Sequence, residues 1–205
     1  MSTRLRALGV VAATVLLTGG CAAGTHPGAA AVVGGTEISS SHVDNTARAF
    51  SAAVGESVPV PAIVNQMVSD ELTEQVRRQK SISVSDAEVA AAIPLMFNDQ
   101  VTKKLQADPL SSAFLKEIAA GAVTSAKLAG GNGRLDTADA QQQLQAGSEA
   151  VKEAAKDIKV TVSPRYGQWT NGRLDTTISG SLSQESDQTA AKRKAAEAAQ
   201  QQGQG

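Results

Sequence analysis

Aromatic side chains are scarce in this chain of 205 residues, which has three Phe, one Tyr and one Trp. A core must therefore be built from Ala, Val, Leu and Ile, at roughly 25 cal/mol per Å² of apolar area buried. Cysteine is scarcer still. Cys21 stands alone, so no intramolecular disulfide can form and packing must hold the fold. The two histidines, His26 and His42, fall in a tether and at a helix start, which leaves neither the oriented base of a nucleophile triad nor a set of zinc ligands. Charge of one sign is also missing. Of 19 basic residues Arg4 and Arg6 precede Cys21, leaving 17 against 20 acidic ones, too even a balance for a general nucleic-acid binder. Glu71, Glu74, Asp86 and Glu88 fall on polar faces or at helix starts, where carboxylates complement the helix dipole rather than share acid/base work. The glycine cluster Gly130-Gly131-Asn132-Gly133 lacks the lysine and hydroxyl residue of a phosphate loop and reads as a turn. These absences argue against an enzyme. No catalytic residue, metal, cofactor or small-molecule substrate is expected, and Ala-rich helices are poor material for lining a ligand cavity.

What is present starts at the N-terminus. Arg4 and Arg6 are followed by an apolar run from Ala7 to Leu17, too short to span a bilayer, and then by Thr18-Gly19-Gly20-Cys21. This is the form of an export signal over residues 1–20. Small residues ahead of a lone cysteine resemble the lipobox of bacterial lipoproteins, with Thr18 at the position where that family usually carries Leu. The resemblance implies a diacylglyceryl thioether (a palmitate-type anchor) on Cys21, and the alternative is secretion with a free thiol. Residues 21–28 then read as a flexible tether that spans roughly 15 Å.

Ala29 to Val33, Gly34-Gly35 and Thr36 to Ile38 read as a short β-hairpin, because paired glycines supply the positive φ of a tight primed turn. Ser39, Ser40 and Ser41 then offer N-cap oxygens to a helix running to about Val54, with Val43, Ala47, Phe50 and Val54 on its apolar face and Gly55 as its stop. From Ala62 to about Lys80 the stripe Val64, Val68, Leu72, Val76, flanked by Ile63 and Met67, predicts the main core helix. Ser85-Asp86-Ala87-Glu88 is a capping box, Pro94 ends or kinks the helix it starts, and Val101 and Leu105 carry a short helix. Asp108-Pro109 starts the next, through Leu115 and Val123, and Asp136 is expected to cap a last one through Leu144, Val151 and Ile158. The period then changes to two over Val160-Thr161-Val162, a strand. Asn171 to Thr176 repeats Asn132 to Thr137 letter for letter, which suggests a shared turn. From Ser179 onward Ser, Gln, Ala, Lys and Gly dominate; residues 170–205 read as a largely disordered tail, with Lys192-Arg193-Lys194 as a solvated charge run.

The early Ala-Val-Val-Gly-Gly strand, the long helix leading into Ile82-Ser83-Val84-Ser85-Asp86-Ala87-Glu88-Val89, and the late Val160-Thr161-Val162-Ser163-Pro164-Arg165-Tyr166-Gly167 together resemble the N-terminal domain of SurA and PrsA-type chaperones. The likeness is greatest to the actinobacterial SurA-like lipoproteins, and it covers residues 29–169. It implies a mainly α module in which the early strand meets the strand after the last helix. Relatives carry parvulin isomerase domains, for which this chain has neither room nor histidines. The expectation is a lipid-anchored protein on the extracytoplasmic face of the cell membrane, a non-catalytic holdase for exported or unfolded polypeptides. The alternative is an adaptor lipoprotein holding one folded partner in the cell envelope. Candidate client-binding residues are Leu95, Met96 and Phe97, as adaptable apolar contacts or ordinary core, and Arg165, Tyr166 and Trp169, as interface anchors or a packed strand end.

Overall fold

The computed structural model describes residues 26–177. Cys21, residues 1–20 read above as an export signal, and the chain beyond Thr177 lie outside them. The described chain is mainly helical, with a small antiparallel sheet. Strands β1 (Ala29–Val33) and β2 (Thr36–Ser39) form the expected hairpin, turning on Gly34 and Gly35, both at positive φ. The turn is stapled to a helix. Gln75 Nε2 donates to the Val33 carbonyl at 2.8 Å, and a side chain at Gly34 would collide with Gln75.

Helix α1 (Ser40–Val54) starts on the Ser39 side chain and stops at Gly55 in the left-handed conformation, as its sequence predicts. In α2 (Val60–Gln79) the residues of the predicted stripe, Ile63, Val64, Met67, Val68, Leu72 and Val76, are all buried. Ser85 and Glu88 close both bonds of the capping box on α3 (Asp86–Ala92), and Pro94 follows in a single 3₁₀ turn. After α4 (Asp99–Ala107), Asp108 caps α5 (Pro109–Leu128) through the Leu110 and Ser111 amides. Helix α5 is the central pillar, packed against α1, α2, α3, α4 and α6 (Ala140–Ala154). Where α6 meets it, Gly147 lies on the Ser125 backbone so closely that an added Cβ would fall 1.9 Å from the carbonyl oxygen. All three phenylalanines meet at one place, with Phe50 edge-to-face with Phe97 at 6.1 Å and with Phe114 at 5.5 Å.

The chain then closes on itself. Strand β3 (Val160–Val162) pairs antiparallel with β1, Ala31 opposite Val162 and Val33 opposite Val160, giving the strand order β2-β1-β3. This is the expected pairing of early and late strands. Two details differ from the sequence reading. Asp136 does not cap α6: its carboxylate is held by Arg134 at 2.6 Å, and α6 begins only at Ala140, after an Asp139 that makes no side-chain cap bond, and ends before Ile158. A second hairpin, β4 (Gln168–Thr170) and β5 (Arg173–Asp175), carries the packed chain past Trp169 and docks on α2, where Asn65 Oδ1 accepts from the Leu174 amide at 2.8 Å.

Candidate functional site

The six residues singled out from sequence do not converge on one surface. Leu95 is exposed at the 3₁₀ turn, with half its surface open to solvent (52%). Met96 and Phe97 are half-buried against the core, Phe97 through its ring contact with Phe50. Tyr166 is buried, and the exposed Arg165 guanidinium stacks over its ring at 4.4 Å, so this pair caps the end of the sheet. Trp169 is half-buried and opens onto a cleft.

Two clefts of about 460 Å³ each flank α2, and Thr73 stands in the wall of both. One lies among β2, α1, α2 and α5, with Ile38, Met67 and Ala120 as its apolar part and Glu37, Asp70, Glu71, Glu74 and Glu117 as its charged part. The other lies among α2, α6 and the late strands. Leu72, Val151, Ile158, Val160 and Trp169 line it, and Lys152 and Lys156 stand at its rim, each also paired with a glutamate three residues earlier on the helix.

Helical spacing explains the acidic wall. Met67, Asp70, Glu71 and Glu74 follow one another at i, i+3, i+4 and i+7, so the polar flank of the core helix faces β2 and α5 instead of open water. Sequence reasoning placed Glu71 and Glu74 on a polar face and passed over Asp70 and Glu117. The available signal was Gly121, a glycine inside a well-capped helix, where Ala is favoured by about 1 kcal/mol.

Electrostatics separates these carboxylates. Glu74 is held below the usual carboxylate range by its hydrogen bonds from Arg77, assisted by Arg78. Asp70 moves the other way, raised to about 7 by burial, against one hydrogen bond from Gln66 and with the Glu117 charge adding to the rise. Glu117 is also raised, by partial burial and the nearby Glu71, with His42 opposing. An acid near neutrality in a cleft is a feature of many active sites; among the described residues the hydrogen bond that Asp70 receives comes from Gln66, while Ser39, His42 and Thr73 line the same cleft. Among the described residues no cluster of His, Cys, Asp and Glu could hold a metal ion, and no helix is long and apolar enough to cross a membrane.

The two clefts therefore set apolar side chains beside charged ones. Comparison with family models, with curated proteins and with solved structures returns no match.

Proposed function

We propose that this protein is a lipid-anchored, extracytoplasmic lipoprotein that holds segments of exported or unfolded polypeptide without catalysis. The observation that carries this reading is the pair of clefts that flank α2. Each combines apolar side chains with charged ones, carboxylates in the first and the glutamate-paired Lys152 and Lys156 in the second, and Thr73 stands in the wall of both. A polypeptide segment presents such a mixture of apolar and charged side chains. The SurA-type resemblance of the sequence points the same way.

The test is an aggregation assay. The purified full chain should slow aggregation of an unrelated denatured protein, and should leave the proline-limited phase of a refolding reaction, tens to hundreds of seconds long without catalysis, at its uncatalysed rate. Unhindered aggregation at several-fold molar excess, together with one dominant partner in cellular crosslinking, would replace the holdase by a single-partner adaptor. Anchoring has its own test. A diacylglyceryl group on Cys21 gives stable membrane attachment, each buried CH₂ contributing about 0.8 kcal/mol, so Cys21→Ala should release the protein or leave it unprocessed. Unchanged fractionation and mature size would exclude the lipoprotein assignment.

A further inference from the structure

The hexapeptide Asn-Gly-Arg-Leu-Asp-Thr stands at residues 132–137 and again at 171–176, and each copy opens on an Asn-Gly pair. An asparagine followed by glycine sets an amide carbon beside an unhindered nitrogen. With no Cβ on the second residue, that nitrogen can approach the side-chain carbon closely enough to close a five-membered imide. Whether the ring closes depends on how the fold holds the pair, and the two copies are held differently.

The later copy is locked. Asn171 and Gly172 both take positive φ as the turn residues of the β4–β5 hairpin, with Thr170 paired to Arg173 behind them. Ring closure requires the peptide between the two residues to swing until its nitrogen faces Asn171 Cγ, and this changes the torsions that such a turn fixes. The strand pairing and the bond from the Leu174 amide to Asn65 Oδ1 both resist the rotation.

The earlier copy is poised to react. Asn132 is exposed, belongs to no helix or strand and does not take positive φ. Its Oδ1 accepts from the Arg134 amide at 3.0 Å, which folds the side chain back over the Gly133 peptide. That bond also polarises the side-chain carbonyl and steadies the negative charge that grows on Oδ1 when a nucleophile adds to Cγ. The Gly133 amide donates no hydrogen bond among the described residues, so no acceptor within them holds its proton.

We propose that Asn132 is a self-modifying site, converted without an enzyme to aspartate and isoaspartate, while the hairpin protects Asn171. Solvent base takes the Gly133 amide proton, and the nitrogen adds to Asn132 Cγ. The Cγ–Nδ2 bond then breaks, and ammonia leaves with its third hydrogen taken from water. One water molecule opens the imide at either carbonyl. The net change is amide plus water to carboxylic acid plus ammonia, with nothing oxidised or reduced. Opening at the main-chain carbonyl inserts a methylene into the chain just before Gly133, a crowded place where an added Cβ would lie 2.7 Å from Lys127 and 3.1 Å from Val123.

The purified full chain, aged in mildly alkaline buffer, tests this by mass spectrometry with a fragmentation method that separates isoaspartate from aspartate. Trypsin places the two asparagines in separate peptides, residues 128–134 and 166–173. In the folded chain Asn132 should react about tenfold faster than Asn171, the scale on which one hydrogen bond alters a barrier. In concentrated urea, where only the shared sequence acts, the two rates should converge. Equal rates in the folded chain, a faster Asn171, or no product at either position overturns the proposal. So does a difference that persists undiminished in urea, since sequence and not structure would then set it. Arg134→Pro deletes the donor amide and should slow Asn132 several-fold with Asn171 unchanged; an unslowed Asn132 overturns the part assigned to that bond. Should this variant not fold, the comparison within the unaltered chain still decides.

Discussion

At the scale of single residues, Asp70 carries the largest consequence for stability. Its carboxyl ionises near 3.8 in an unfolded chain and near 7 in the fold, chiefly because burial disfavours the charge. Between these values the folded chain holds a proton that the unfolded chain has released. Stability therefore falls as pH rises through this interval, and the contribution is gone above about pH 7. A shift of this size corresponds to on the order of 4 kcal/mol at most, a large fraction of a typical folding free energy. Asp70→Asn keeps the shape and the contact with Gln66 but cannot ionise. The variant should melt close to the wild type near pH 4 and several degrees above it near pH 8; parallel melting curves across that range would refute the assignment. Within its own helix nothing set Asp70 apart, and the signal lay in Gly121 of α5. A polar residue beside an apolar stripe reads as solvated, and only the arrival of β2 and α5, distant in the chain, encloses it.

At the scale of elements, boundaries set by local chemistry were legible and those set by context were not. The capping box on α3 shows the first kind: Ser85 accepts from the Glu88 amide while the Glu88 carboxylate reaches back to the Ser85 amide at 2.8 Å. Glu88 also meets Lys127 of α5 at 2.6 Å, and these bonds, Lys127 foremost, hold its pKa at about 2. The associated stability is present above the ordinary carboxylate range and is lost as pH falls toward that value. Ser85→Ala should cost about 1 kcal/mol and loosen the first turn of α3. Amide hydrogen exchange that is no faster in this turn than in the wild type would show that Lys127 alone fixes it. The repeated hexapeptide shows the second kind. In Asn171 to Thr176, Asn171 and Gly172 both take positive φ and turn the β4–β5 hairpin, so the next three residues form β5. In Asn132 to Thr137 only Gly133 takes positive φ, Asn132 Oδ1 accepts from the Arg134 amide, and Arg134 binds Asp136. Six identical letters thus form a strand where α2 offers Asn65 as a docking partner, and an irregular loop where no strand lies alongside. The same local bond explains why Asp136 is not the cap of α6.

At the scale of the whole molecule, the ends of the domain hold each other. The β1–β3 pairing was legible because Ala29 to Val33 and Val160 to Val162 were the clearest β segments, each without a complete local sheet to join. Strands β4 and β5 were not legible: three residues each are too few to show alternation, and Leu174 is held by Asn65 from far along the chain. Closure by β3 has an energetic consequence. Val162 is buried, its neighbour Ser163 donates to the Ala30 carbonyl at 2.8 Å, and Gly34 donates to the Lys159 carbonyl at 2.9 Å. Removing residues 160–167 would strip these partners from β1, whose Ala30, Ala31 and Val33 are completely buried, and leave its backbone groups as an open edge. It would also remove the buried Tyr166 and the direct connection from α6 to the second hairpin. Several kcal/mol should be lost from a total that is typically only 5 to 15 kcal/mol, enough to abolish a cooperative thermal transition. A point substitution separates loss of pairing from loss of chain: Val162→Asp puts an unpaired carboxylate where a buried valine faces the core, and should destabilise by a similar amount with β3 retained. Arg173→Ala, at an exposed position of β5, should leave melting nearly unchanged. If the shortened chain or the Val162→Asp variant unfolds cooperatively at the wild-type temperature, then α1 to α6 are stable alone and the strands merely decorate them.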